Sequence, residues 1–224
     1  MTMRTLRRVF AITALALPTA AYASRSSTIS LPPSQKLTPE QEAARAYNDG
    51  VEYADKADKL GKEAAAETDA AKKEKLTKKS VGKYADAADK FVEATKKNPK
   101  LFQAWGSLGY AYRKGGKYSD ALTAYDKALE LQPGYTPAIE YRAEAYLELD
   151  RLDDVKDAYM ILFQHDRPRA NELDAAIQKW IEKRKGSPGS LDQATFESFS
   201  AWAAERHQLA SQTSELLLPS RAGW

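Results

Sequence analysis

The sequence has 224 residues, no cysteine and only two histidines. The first absence excludes disulfides, thiolate nucleophiles and cysteine-held metals. The second leaves His165 and His207 on different segments without acidic partners at ligand spacing, so no metal site is expected. There is no G-x-S-x-G nucleophile turn and no Gly-rich phosphate loop. An excess of one charge is also missing. The 34 basic residues face 31 acidic ones, and Arg4, Arg7 and Arg8 account for the surplus of +3. Beyond them the chain is balanced, which removes the basic field that nucleic acid would need. No residue set reads as catalytic, no cofactor is expected, and the chain is read as not an enzyme.

The opening residues have the order of a secretory signal. A basic head precedes the apolar run Val9 to Leu17, Pro18 breaks it, and Ala21-Tyr22-Ala23 supplies small residues for cleavage. The run is about half of the roughly 20 residues that span a bilayer. Residues 1–23 are therefore expected to be a signal peptide cleaved after Ala23. That predicts a periplasmic or secreted protein without a transmembrane segment after cleavage. Arg7-Arg8-Val9-Phe10 also fits a twin-arginine signal, and the two export routes stay open. No cysteine follows the run, which excludes a lipoprotein anchor. Residues 24–37, with Pro32-Pro33 among serines, read as a disordered lead.

The remainder repeats itself. Tyr84, Ala87, Phe91, Ala94 and Pro99 recur 34 residues later as Tyr118, Ala121, Tyr125, Ala128 and Pro133, and the same step reaches Leu152, Val155, Tyr159 and Leu162. Trp105, Leu108, Gly109 and Tyr112 lie at i, i+3, i+4 and i+7 on one helix face. Gly109 and Ala121 are small where helices must cross closely. Gly115-Gly116 and Pro133 end consecutive helices. On these residues the chain resembles the tetratricopeptide-repeat (TPR) family. Residues 102–135 carry most of its pattern, while residues 136–169 depart from it with Arg142 and Asp150 in place of the usual leucine and glycine. The resemblance implies antiparallel helix pairs stacked into a superhelix whose concave groove binds peptides or partner helices.

The first repeat is split. Ala46, Gly50 and Tyr53 precede Trp105, Gly109 and Tyr112 by 59 residues, which is 34 plus 25. The 25 extra residues are rich in Ala, Lys and Glu, with Ala54, Ala57, Leu60 and Ala64 and then Ala70, Ala71 and Leu76, a composition that favours helix. They predict two lengthened helices with a break near Glu67-Thr68-Asp69. The first should start at the capping box Thr38-Pro39-Glu40-Gln41. Gly82 stands where the family's turn glycine would fall, so a kink or a surviving turn is expected there.

The predicted fold is all-α: a short TPR solenoid of about three helix pairs, the first lengthened into a protruding helical hairpin, closed by C-terminal capping helices. The expected segments are repeat one at 38–98, repeat two at 99–135, repeat three at 136–167, a capping helix at 168–184, a linker at 185–190, a C-terminal helix at 191–211 and a flexible tail at 212–224. Phe196, Phe199, Ala203 and Leu209 form the last helix's apolar stripe. That helix has two readings: it packs on the capping helix, or it fills the groove as a built-in ligand.

The family resemblance places the first helix of each pair along the groove. Its inward residues would be Tyr47, Val51, Gly106, Tyr110, Glu140 and Glu144, with Arg113 one turn further on. Gly106 is expected to open space beside Tyr110. The Lys and Asn set with which some family members clamp a chaperone's terminal carboxylate is replaced by Tyr47, Val51, Ser107, Pro137 and Tyr141. The groove thus reads as aromatic and then acidic, suited to an amphipathic or basic peptide. The expected role is a non-enzymatic interaction scaffold or assembly adaptor of a bacterial cell envelope, with a protein or peptide partner. The alternative is a peripheral binder of cell-wall polymer or anionic lipid through Lys72, Lys73, Lys75, Lys78, Lys79 and Lys83.

Overall fold

The computed structural model describes residues 37–187 and 189–217. The signal-peptide reading, nearly all of the lead, and residues 218–224 of the tail lie outside the described residues. Within them the chain forms eight helices and no strand. They are α1 (Pro39–Ala66), α2 (Ala70–Lys97), α3 (Phe102–Lys114), α4 (Tyr118–Leu131), α5 (Thr136–Glu148), α6 (Leu152–His165), α7 (Arg167–Arg184) and α8 (Gln193–Leu217).

The long hairpin is present. At 28 residues each, α1 and α2 run about 42 Å, against about 20 Å for the 13 residues of α3, at 1.5 Å per residue. Thr38 and Gln41 form the capping box that starts α1. Asp69 caps α2 by accepting from the Lys72 amide at 2.8 Å. The arm's seam is built from small residues, Ala54, Ala57 and Ala64, and is stapled where the Ser80 hydroxyl donates to the Ala57 carbonyl at 2.8 Å.

Gly82 neither kinks the chain nor keeps a turn, because α2 runs through it unbroken. A Cβ there would meet nothing within 4 Å. The glycine therefore carries only its entropic cost. Gly82→Ala should raise stability by about 0.5–1 kcal/mol, read as a melting point higher by about 2–4 °C in a helical circular-dichroism melt. An unchanged or lower melting point would mean that α2 bends at this position.

Each pair is closed by a small residue of one helix under an aromatic ring of the next. A Cβ on Gly50 would sit 2.6 Å from the Phe91 ring, and one on Gly109 would sit 2.5 Å from the Tyr125 ring. In the third pair Ala143 and Tyr159 occupy these places, both buried. The α5–α6 turn uses Asp150 at φ 58°, the place taken by Gly116 at φ 79° one repeat earlier. Aspartate is among the few non-glycine residues that tolerate this left-handed region. Arg184 and Ser190 hold its carboxylate, which ties the α7–α8 connection to this turn.

The C-terminal helices extend the stack rather than merely covering it. Leu173, Ile177 and Trp180 follow Ile139, Ala143 and Tyr146 by the same 34-residue step, and all six are buried in one cluster. α8 packs there through Phe196, Phe199 and Ala203, with the Phe199 ring edge-on to Trp180 at 5.7 Å. It therefore packs on α7 as the second helix of a fourth pair, with Trp202 against Tyr159 of α6, and does not enter the groove. It runs to Leu217, past the end expected at 211. Leu209 is 38% exposed and Ala210 takes its buried place.

The helices form two layers. Neighbouring odd-numbered helices touch along the whole series, α1 with α3, α3 with α5 and α5 with α7. The even-numbered helices pack on their own partner and the following odd one. A layer whose members touch one another is the inner side of a curved stack, so α1, α3, α5 and α7 line the concave face.

Candidate partner-binding face

The seven residues singled out in the sequence lie on these inner helices, and most are already engaged. Tyr110 is 5% exposed, and its hydroxyl donates to Asp58 Oδ1 at 2.7 Å. Tyr84 donates to the same oxygen. Asp58 Oδ2 is buried without a hydrogen-bond partner. Burial first pushes both phenols far above the ordinary tyrosine value; the hydrogen bond to Asp58 adds to this at Tyr84, and the neighbouring Tyr84 and Asp58 add to it at Tyr110. They therefore act as fixed donors.

Arg113 pairs with Glu144 across α3 and α5. Its guanidinium lies 5.5 Å from the Tyr110 ring centre and 5.2 Å from that of Tyr141. Burial works most strongly against its charge, but the Glu144 carboxylate together with Tyr125 and Tyr110 more than offsets it and keeps it protonated. Glu140 is 3% exposed and is held by Arg169 from the start of α7. Burial pushes its carboxyl up to about 7, with the Arg169 guanidinium pulling the other way.

The result is a continuous spine: Asp58 with Tyr84 and Tyr110, then Arg113 with Glu144, then Tyr141, then Arg169 with Glu140. It crosses all four helix pairs. The acidity expected from Glu140 and Glu144 therefore does not face outward, because each carboxylate is taken by an arginine. The space expected beside Gly106 is filled too. Tyr135, from the α4–α5 turn, approaches to 2.8 Å of where a Gly106 Cβ would be. What remains is a notch of about 10 Å³ among Gly106, Ser107, Tyr110, Tyr135, Pro137 and Tyr141. Val51 is buried in the same cluster as Tyr110, and Tyr47 is half-buried, 5.8 Å from the Phe91 ring.

Asp58, Tyr135 and Arg169 escaped the sequence reading. Asp58 lies in the inserted segment, which has no repeat equivalent. Its spacing was nonetheless informative, since Ala54, Ala57 and Asp58 stand at i, i+3 and i+4 on the packed face. His207, read as a surface or half-buried histidine, has its Nδ1 2.6 Å from Asp174 Oδ2, joining α8 to α7. Among the described residues no group of three or more His, Cys, Asp or Glu side chains is placed to hold a metal ion.

Comparison with known proteins agrees with this architecture. Residues 78–136 match the family model described as "Tetratricopeptide repeat". Hsp70-Hsp90 organizing protein 3 of Arabidopsis thaliana is 26% identical over 110 residues, 49% of this chain and 20% of its own length. Hsp70-Hsp90 organizing protein 1 of Glycine max is 25% identical over 130 residues, 58% of this chain and 23% of that one. The chain thus spans about a fifth of the length of these curated relatives. Among solved structures, the first TPR of Spaghetti (RPAP3) bound to the HSP90 peptide SRMEEVD aligns with a TM-score of 0.47 at 20% identity, over 63% of this chain and 95% of that one. No described helix is long and apolar enough to cross a membrane. The chain carries the tetratricopeptide repeat over residues 78–136, set in an all-helical solenoid that continues on both sides of it.

Proposed function

We propose that the protein is a non-enzymatic interaction scaffold of a bacterial cell envelope. Its concave face, lined by α1, α3, α5 and α7, receives a partner peptide or helix. The observation that carries this reading is the row of half-buried tyrosines Tyr47, Tyr135 and Tyr141 on that face, with Arg113 and Arg169 paired to Glu144 and Glu140 beside them. The envelope assignment rests on the signal-like order of residues 1–23.

The ligand differs in chemistry from an acidic terminal tail. A carboxylate clamp needs unpaired cations on the inner face. Arg113 and Arg169 are committed to Glu144 and Glu140, Tyr47, Val51, Ser107, Pro137 and Tyr141 add none, and Lys114 lies over the Tyr84 ring at the end of α3. A largely uncharged peptide that presents apolar side chains suits the face better.

The test is photo-crosslinking in cells. Reactive groups go at the exposed residues Asn48, one step from Tyr47, and Asn171, which follows Pro137 by 34 residues. Controls go on outer helices at Thr123 and Met160. The reading predicts a discrete protein adduct from the first pair only. Adducts from all four positions alike, or only from the outer pair, would overturn it.

A further inference from the structure

The hairpin arm carries a second surface, separate from the concave face. Residues 70–83 of α2 hold six lysines against one glutamate, a net of +5 in a chain whose total is +3. Lys72, Lys75 and Lys79 recur at i, i+3 and i+7, and Lys78 stands beside them. They lie off the packed seam marked by Ser80, Tyr84 and Ala87. All four are exposed. Lys78 is paired with Glu74 at 2.6 Å and Lys83 with Asp86 at 2.7 Å, whereas Lys72, Lys73, Lys75 and Lys79 make no ion pair among the described residues. Between them lies an open hollow of about 470 Å³, lined by Ala71, Glu74, Lys75, Lys78 and Lys79.

Two features indicate what this stripe meets. The large apolar side chain along the stripe is Leu76, half-buried at i+4 from Lys72, which is too little to anchor a protein interface. Val81, 43% exposed, stands half a turn round the helix from Lys72. The arm also charges itself with lysine alone: α2 has no arginine, and α1 has only Arg45 near its start. Lysine is a compact point charge that attracts phosphate without the fixed fork geometry of arginine. That suits a fluid array of anionic groups better than one shaped ligand.

We propose that α2 of the arm lies along an anionic phospholipid bilayer surface and holds the scaffold at the membrane by charge alone. The stripe from Lys72 to Lys79 is about 10 Å long at 1.5 Å per residue. It meets lipid headgroups without insertion, and the helix-pair stack stands clear of the membrane. This does not depend on the ligand of the concave face.

The experiment is co-sedimentation of the purified chain, lacking residues 1–23, with vesicles of equal phosphatidylglycerol and phosphatidylcholine, and with phosphatidylcholine alone. Binding should require the anionic lipid and be lost at about 1 M salt, where screening reaches about 3 Å. The K72Q/K75Q/K79Q variant should bind about 100-fold more weakly, at about fivefold per lysine. K72R/K75R/K79R should bind like the wild type. Equal sedimentation with both vesicles, or unchanged binding by the glutamine variant, overturns the proposal. So does a result in which the glutamine variant loses an acidic protein partner while the wild type never binds vesicles. An unchanged melting curve for both variants shows that the fold is intact.

Discussion

Gly109→Ala should destabilise the protein by about 2–3 kcal/mol, although it adds a single methyl group to a helix interior where alanine is normally favoured. The cause is the Tyr125 ring. Its Cε1 lies 2.5 Å from where the new Cβ would be. Tyr125 is itself fully buried between Ala121, Ala128 and Ala138, so the ring cannot give way cheaply. The helices α3 and α4 must move apart, and the damage spreads because α3 also packs on α2 and α5. Chemical denaturation read by helical circular dichroism measures the loss. Gly82→Ala is the paired control, since the same substitution in open space should act in the opposite direction. If both changes shift the midpoint equally, close packing is not what requires glycine at 109.

Arg169→Ala should cost about 3–5 kcal/mol, because it leaves Glu140 buried without its counter-ion. The loss should depend on pH in a definite direction. Glu140 has its carboxyl pushed up to about 7 by burial, so the folded state binds its proton more tightly than the unfolded chain does. That contribution is fully present below the ordinary glutamate value of 4.5 and is lost as pH rises through about 7. The variant's deficit should therefore be larger at pH 8 than at pH 5. Glu140→Gln should flatten this dependence, and E140Q/R169M should recover much of the stability that Arg169→Ala loses. Denaturation midpoints at the two pH values check this. A deficit independent of pH would show that the Glu140 carboxylate is not what Arg169→Ala leaves uncompensated.

The helical frame was legible in the sequence because packing at a fixed step leaves a visible repeat. Gly109 under Tyr125, the break before Asp69 and the Thr38 capping box could all be placed from residue types alone. The fourth pair was legible only in part. Leu173, Ile177 and Trp180 keep the 34-residue step, but the connection after Arg184 is longer, so the repeat register breaks before Phe196. The inner face was legible in position and misread in character. Glu140 and Glu144 look acidic in sequence, and their neutralisation by Arg169 and Arg113 depends on contacts between helices 29 and 31 residues apart. Gly106 looked like open space, and the ring that fills it comes from a turn with no role in the repeat pattern.

These corrections leave a concave face that is preformed, has Glu140 and Glu144 each paired with an arginine, and is aromatic at its centre. Hydrogen exchange of the full chain, with and without a partner identified by crosslinking from Asn48, tests that account most directly. It predicts slowed amide exchange on α1, α3 and α5 around Tyr47, Ser107 and Tyr141, with α4 and α6 unchanged. Protection confined to α4 and α6, with none on the inner helices, would contradict it.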